Sequence, residues 1–171
     1  MVGYVQVYTG DGKGKTTAAI GLAVRAVGAG LRVYMGQFVK GMYYNELNAL
    51  QKLYPDIVVK QYGRGCFIDR KPTDEDISAA RKGFEEIKRV IMSGDYDIVI
   101  LDEANIAVYY GLIPADDFAG LIEEKPKEVE LVFTGRKACP EILERADLIS
   151  EIKEVRHYYK KGVLAREGIE K

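Results

Sequence analysis

Apolar residues along the chain repeat with two periods, and the change from one to the other marks where strands give way to helices. Tyr4-Val5-Gln6-Val7-Tyr8 alternates, which predicts a first strand over residues 3–9. Residues 16–29 switch to a helical period, with Ile20, Ala23, Val24 and Val27 predicted on one face and Gly28 and Gly30 closing the helix. A second strand is predicted over 31–39, a short helix over 46–53 stopped by Pro55, and a third strand over 57–62. Ile77, Ala80, Phe84, Ile87 and Ile91 are spaced 3, 4, 3 and 4, the stripe of a helix that buries one side. Thr73 can cap that helix, Asp74, Glu75 and Asp76 suit its positive first turn, and Gly94 ends it. Residues 96–103 break the alternation. Ile98-Val99-Ile100-Leu101 is continuously apolar, as in a parallel strand covered on both faces. Short helices are predicted over 104–110 and from Pro114 to about 124, a fifth strand over 128–133, a short helix from Pro140 to Arg145, and a last strand from 148 through 152 and beyond. Strands alternating with helices give an α/β fold, a single domain over 1–171 with a parallel sheet and right-handed crossovers.

The first strand runs into Thr9-Gly10-Asp11-Gly12-Lys13-Gly14-Lys15-Thr16-Thr17. Strand, glycine loop, Lys-Thr and helix is the context of a phosphate-binding loop. Glycines let consecutive backbone N–H groups turn around an anion, Lys15 supplies a cation, and Thr16 offers its hydroxyl to Mg2+. The usual spacing G-x-x-x-x-G-K-[ST] would place glycine at 9, where this chain has Thr9; Gly12 and Lys13 are additional. The buried strand over 96–103 ends in Asp102 and Glu103, where such folds place a carboxylate that holds Mg2+ directly or through water. The plainer alternative is a pair of helix N-capping acids. The loops at 9–17, 40–46, 102–103 and 134–136 all follow strands, so they are expected to meet at the carboxyl edge of the sheet, bringing Lys40 and Arg136 to the same place. Arg25 reads either as a solvated cation near a helix end or as a group near phosphate. The irregular stretch 63–72, with Arg64, Arg70 and Lys71, is expected to cover the site. His157 is the only histidine and reads as a surface or ligand-edge residue rather than a base.

Composition narrows the partners. Lys plus Arg number 25 against 26 Asp plus Glu, a formal net charge of −1, which offers no general attraction to nucleic acid or to an anionic membrane. Cys66 and Cys139 form no C-x-x-C pair, which argues against a structural zinc site. No apolar run has transmembrane length, and the first strand begins almost at once, without a signal peptide. A reduced, cytoplasmic protein is expected.

The order of several segments resembles one family over nearly the whole chain, the P-loop type ATP:corrinoid adenosyltransferases, also called cob(I)alamin adenosyltransferases. The segments are 9–17, Ala26-Val27-Gly28-Ala29-Gly30, Gln37-Phe38-Val39-Lys40-Gly41, Tyr96 to Glu103, Asn105, Gly111, Thr134-Gly135-Arg136, Ala146 to Glu151, and Gly162 to Glu170. The shifted glycines of the loop are characteristic of this family. The resemblance implies a three-layer P-loop NTPase (RecA-like) fold with a mostly parallel central sheet. It implies ATP as co-substrate with Mg2+, and a corrinoid, cobalamin or cobinamide, as the other substrate. Co(I) attacks the ribose 5′ carbon and inorganic triphosphate leaves, with ATP lying reversed in the loop. Co(I) is itself a strong nucleophile, so no protein nucleophile or base is expected. The catalytic set is Lys13, Lys15, Thr16 and Glu103. Nucleotide contacts fall to Gly10, Asp11, Gly12, Lys13, Gly14, Lys15, Thr16, Thr17, Arg25, Lys40 and Arg136, and metal contacts to Thr16, Asp102 and Glu103. The family further suggests a homodimer and a flavoprotein reductant.

Three departures stand out. The segment Met42 to Glu46 is shorter than in the family and the chain has no Trp. Where relatives carry Gly-x-Gly-Phe-Thr-Trp, associated with placing the corrinoid and displacing its lower ligand, this chain has Gly63-Arg64-Gly65-Cys66-Phe67-Ile68. The N-terminal extension with which relatives cover a neighbour's site is expected to be missing, because the first strand opens the sequence. Two other readings predict different products: a small-molecule kinase would yield ADP, and a nucleotide-switched regulatory ATPase would yield orthophosphate.

Overall fold

A computed structural model describes residues 2–65 and 71–170. Six strands form one sheet: β1 (Val5–Thr9), β2 (Val33–Gln37), β3 (Ile57–Gln61), β4 (Ile98–Asp102), β5 (Glu130–Thr134) and β6 (Leu148–Glu151), in the order β3-β2-β4-β5-β1-β6. Every pairing is parallel, so the sheet is wholly rather than mostly parallel. The helices between strands are α1 (Lys15–Gly28), α2 (Glu46–Gln51), α3 (Asp74–Ser93), α4 (Ala104–Tyr109), α5 (Ala115–Glu124) and α6 (Pro140–Leu143).

Strand side chains alternate between two cores, which makes three layers. Val33, Met35, Ile98, Ile100 and Val132 pack with Ala19, Ala23 and Ala26 of α1. Tyr34, Val99, Leu101, Leu131 and Phe133 face Phe84, Ile87 and Ile91 of α3 and Phe118 and Leu121 of α5. The stripe expected on α3 is buried at Ala80, Phe84, Ile87 and Ile91. Its capping box is complete: Thr73 accepts from the Asp76 amide, and Asp76 accepts from the Thr73 amide. On α1 the expected face is rotated. The buried residues are Ala19, Ala23 and Ala26, while Val24 is exposed. Alanine allows the helix to lie close on the sheet, and that close approach fixes its rotation more firmly than side-chain size does.

The last strand also differs from expectation. It stops at Glu151, and the chain then turns across the phosphate-loop sequence: Ile152 N–H donates to Thr9 O, and Gly12 N–H donates to Ile152 O at 2.7 Å. A Cβ on Gly12 would lie 2.7 Å from the Ile152 carbonyl oxygen, so this crossing requires glycine. Residues 158–161 form a 3-10 turn that ends at Gly162.

Candidate active site

Residues from four strand ends and one helix meet at the carboxyl edge of the sheet. Asp102, the last residue of β4, is fully buried and accepts four hydrogen bonds. Oδ1 receives the hydroxyls of Thr16 at 2.8 Å and Thr134 at 2.7 Å. Oδ2 receives Gln37 Nε2 at 3.0 Å and Lys40 Nζ at 2.8 Å. Lys40 Nζ also lies 3.4 Å from Thr16 Oγ1. A carboxylate removed from water needs donors and a counter-charge, and this arrangement supplies both.

Lys15, almost wholly buried, folds back over its own loop and donates to the carbonyls of Gly10 at 2.7 Å and Gly12 at 2.6 Å. Burial lowers its pKa, with Arg136 adding to that and Glu103 and Asp11 opposing it. Gly14 at φ 122 leads into α1, whose first turn has neither a side-chain cap nor an acidic residue. The contrast with α3, which has a capping box and three acids in its first turn, is informative. The first amides of a helix need partners, and in α1 no capping side chain supplies one.

Glu103 occupies the N-cap position of α4, but no side-chain cap hydrogen bond forms there, so the acids do not act as capping groups. Glu103 takes up a left-handed conformation at φ 58, and its amide donates to Thr134 Oγ1. Its carboxyl is pushed above the usual range, chiefly by burial and then by the Asp102 charge, while Lys40, Lys15 and Arg136 pull it down. Gly135, at φ 126, makes the tight turn beside it; a Cβ there would stand 3.3 Å from Glu103 Oε2. Asn105 Nδ2 donates to Gly135 O at 3.0 Å and pins the same turn. Its buried Oδ1 has no partner among the described residues.

The four loops expected at one edge are therefore together, with Lys15, Thr16, Lys40, Asp102 and Glu103 within one electrostatic neighbourhood and exposed Arg136 beside them. Gly10, Gly12 and Gly14 shape the loop, and Asp11 and Thr17 lie exposed on it. Lys13 is turned away: Nζ donates to Ile169 O at 3.0 Å and pairs with Glu170 at 3.6 Å. Arg25 is in the last turn of α1, exposed, about 15 Å along the axis from Lys15, and is not brought to the loop. His157 caps the 3-10 turn by accepting from the Tyr159 amide. Of the loop 63–72, residues 66–70, Phe67 among them, lie outside the described residues. Sequence reasoning assigned no role to Gln37 or Thr134, although a polar residue ending a buried strand is a signal of one.

A family model for the ATP:corrinoid adenosyltransferases BtuR/CobO/CobP matches residues 1–170. The corrinoid adenosyltransferase of Escherichia coli K12 is 37% identical over 169 residues, spanning 98% of this chain and 85% of the relative. The enzyme so named in Pseudomonas aeruginosa is 32% identical over 169 residues, spanning 98% and 83%. Corrinoid adenosyltransferase CobA of Salmonella typhimurium is 35% identical over 169 residues, spanning 98% and 85%. With a phosphate loop, an uncapped helix and a buried carboxylate converging at one sheet edge, and with the match running through all of them, the chain belongs to the ATP:corrinoid adenosyltransferase family.

Proposed function

We propose that the chain transfers the 5′-deoxyadenosyl group of ATP to the Co(I) centre of a corrinoid and releases inorganic triphosphate. The cobalt electron pair forms the Co–C bond as the C5′–O bond breaks, and the bonding pair leaves with the triphosphate. The observation that carries this reading is the uncapped, acid-free first turn of α1 with Lys15 lodged in its loop. It suits a polyanionic tail, not a neutral ligand. The triphosphate lies along residues 10–17, with Lys15, Lys40 and Arg136 offsetting the charge that grows on it. Holding the tail at one end fixes where the 5′ carbon points, which aligns it for attack.

The donor set fits magnesium. A hydroxyl at Thr16, locked 2.8 Å from Asp102, with the Glu103 carboxyl alongside, is enough for an ion that keeps most of its ligands as water and phosphate oxygens. When bound, it would neutralise leaving-group charge. Thr16 would be its protein ligand, Asp102 would orient Thr16, and Glu103 would accept from its waters. The whole chain acts as one nucleotide-binding domain in this reading. It works in the cytoplasm as a homodimer, on cobalamin or cobinamide reduced by a flavoprotein. Among the described residues, no helix is long and apolar enough to cross a membrane.

The test is direct. The protein is mixed with Mg-ATP and chemically reduced corrinoid. The expected result is the light-sensitive spectrum of an adenosylated corrinoid with one free triphosphate per turnover. ADP or orthophosphate as the nucleotide-derived product would overturn the reading in favour of a kinase or a switch ATPase.

A further inference from the structure

Among the described residues that donate to Asp102, only Lys40 carries charge. Its ammonium reaches both Asp102 Oδ2 and Thr16 Oγ1, the carboxylate that orients the metal ligand and that ligand's own hydroxyl in the reading above. Both members of the ion pair are nearly excluded from solvent, with 11% of the Lys40 side chain and none of the Asp102 side chain exposed. The backbone that aims Lys40 is fixed. Val39 precedes it at φ 61, a conformation that a β-branched residue takes up only when its surroundings impose it. Gly63 N–H donates to Lys40 O and Gly41 N–H to Gly65 O, and a Cβ on Gly41 would lie 2.4 Å from Gly63 O. The two loops are thus locked together, and the freedom left at Lys40 is in its side chain. The Tyr44 ring offers the ammonium a second face, with its centroid 5.2 Å from Nζ.

We propose that Lys40 is the resident counter-ion of Asp102 in the nucleotide-free enzyme. It balances the buried carboxylate until the magnesium nucleotide arrives, and its ammonium then turns from Asp102 to the polyphosphate. This rests on reading residues 9–17 and 102–103 as a magnesium-nucleotide site. A divalent cation on Thr16 would crowd an ammonium that lies 3.4 Å from the same hydroxyl, and the two charges repel strongly, so the ammonium must move. The consequence is that metal without nucleotide binds poorly, because it must displace Lys40 from the buried carboxylate it pairs with. Lys40 is in this sense a positioning residue that makes metal entry depend on phosphate.

The test uses Mn2+ alone, followed by the paramagnetic signal of the free ion, and thermal unfolding with and without Mg2+. Lys40→Met is expected to bind Mn2+ roughly tenfold or more tightly than the wild type in the absence of nucleotide. Its unfolding midpoint is expected to respond more to Mg2+. Adding Asp102→Asn to Lys40→Met should abolish both gains. Equal metal responses in wild type and Lys40→Met, or a gain that survives Asp102→Asn, would overturn the proposal. Lys40→Gln keeps a donor for Asp102 and drops the charge, and it gives the same comparison should the Met variant fail to fold. If the wild type fails to bind Mn2+ even with ATP, the magnesium-nucleotide reading itself fails. If it binds Mn-ATP while the Lys40 variants show no gain, only the role of Lys40 is lost.

Discussion

Thr16, Thr134, Gln37 and Lys40 all converge on one buried side chain, Asp102. Removing it leaves Lys40 buried and unpaired, a defect that typically costs about 3–5 kcal/mol. Asp102→Ala is therefore expected to lower the free energy of unfolding by that order in denaturant titrations, and Asp102→Asn, which preserves the shape, by less. Lys15 plays the opposite part, since its bonds to Gly10 O and Gly12 O are local to its own loop. Lys15→Ala is expected to lower kcat by about 100-fold or more with little change in the unfolding midpoint. Near-normal turnover at saturating ATP would contradict the assignment. Among the described residues, three non-glycine residues have left-handed backbones, Val39, Glu103 and Lys137, and each follows closely on a strand that feeds the site. Strain of this kind persists where the surroundings over-determine the chain, here at the carboxyl edge of the sheet.

At the scale of elements, the readable segments were those whose burial is set by side-chain size. The stripe on α3 is made of large residues, so its face could be read from spacing alone. The face of α1 could not, because its contact with the sheet is made by Ala19, Ala23 and Ala26, residues whose hydropathy marks no direction. Ala23→Leu is expected to overpack that contact and cost about 1–3 kcal/mol, whereas Val24→Ala, at an exposed position, should have little effect on unfolding. Between β2 and the residue after β3, the Tyr34 and Tyr62 hydroxyls share a hydrogen bond. A Cβ on Gly83 would lie 2.4 Å from the Tyr62 ring, so that glycine lets the ring rest on α3. Burial, opposed only in part by the Tyr62 bond, pushes Tyr34 up to about 12, and burial pushes Tyr62 up as well. Groups raised above their unfolded value of 10.0 stabilise the fold fully below that pH and lose their contribution as pH rises through the folded values. Stability is expected to fall from about pH 10 upward, more steeply in the wild type than in Tyr62→Phe, as read by unfolding midpoints across alkaline pH.

Across the whole molecule, the phosphate loop is held by a segment remote in sequence. Ile152 crosses Gly10 and Gly12, and Ile169 and Glu170 hold Lys13. Glu170 is itself gripped by Arg166 and by the Tyr158 hydroxyl, and the Arg166 guanidinium stacks over the Tyr158 ring. Gly12→Ala would drive a Cβ into the backbone of Ile152 and Lys153, so weaker triphosphate binding is expected by calorimetry. Glu170→Ala is expected to free residues 157–170 without unfolding the sheet. Faster proteolysis within that segment, with an unchanged overall midpoint, would show it; unchanged proteolysis would mean that other contacts hold it.

Periodicity, a glycine loop before Lys15-Thr16 and two acids closing a wholly apolar strand were enough to read a parallel α/β sheet with the loop and the acids together at its carboxyl edge. Those features are local, because strand and helix periods and loop chemistry act over a few residues. Folding decided which charges meet. It placed Lys40 on Asp102 across 62 residues, turned Lys13 to Glu170 far along the chain, and left Arg25 far from the loop. Such pairings depend on strand order and on how closely backbones approach, and no pattern along a single segment carries that information.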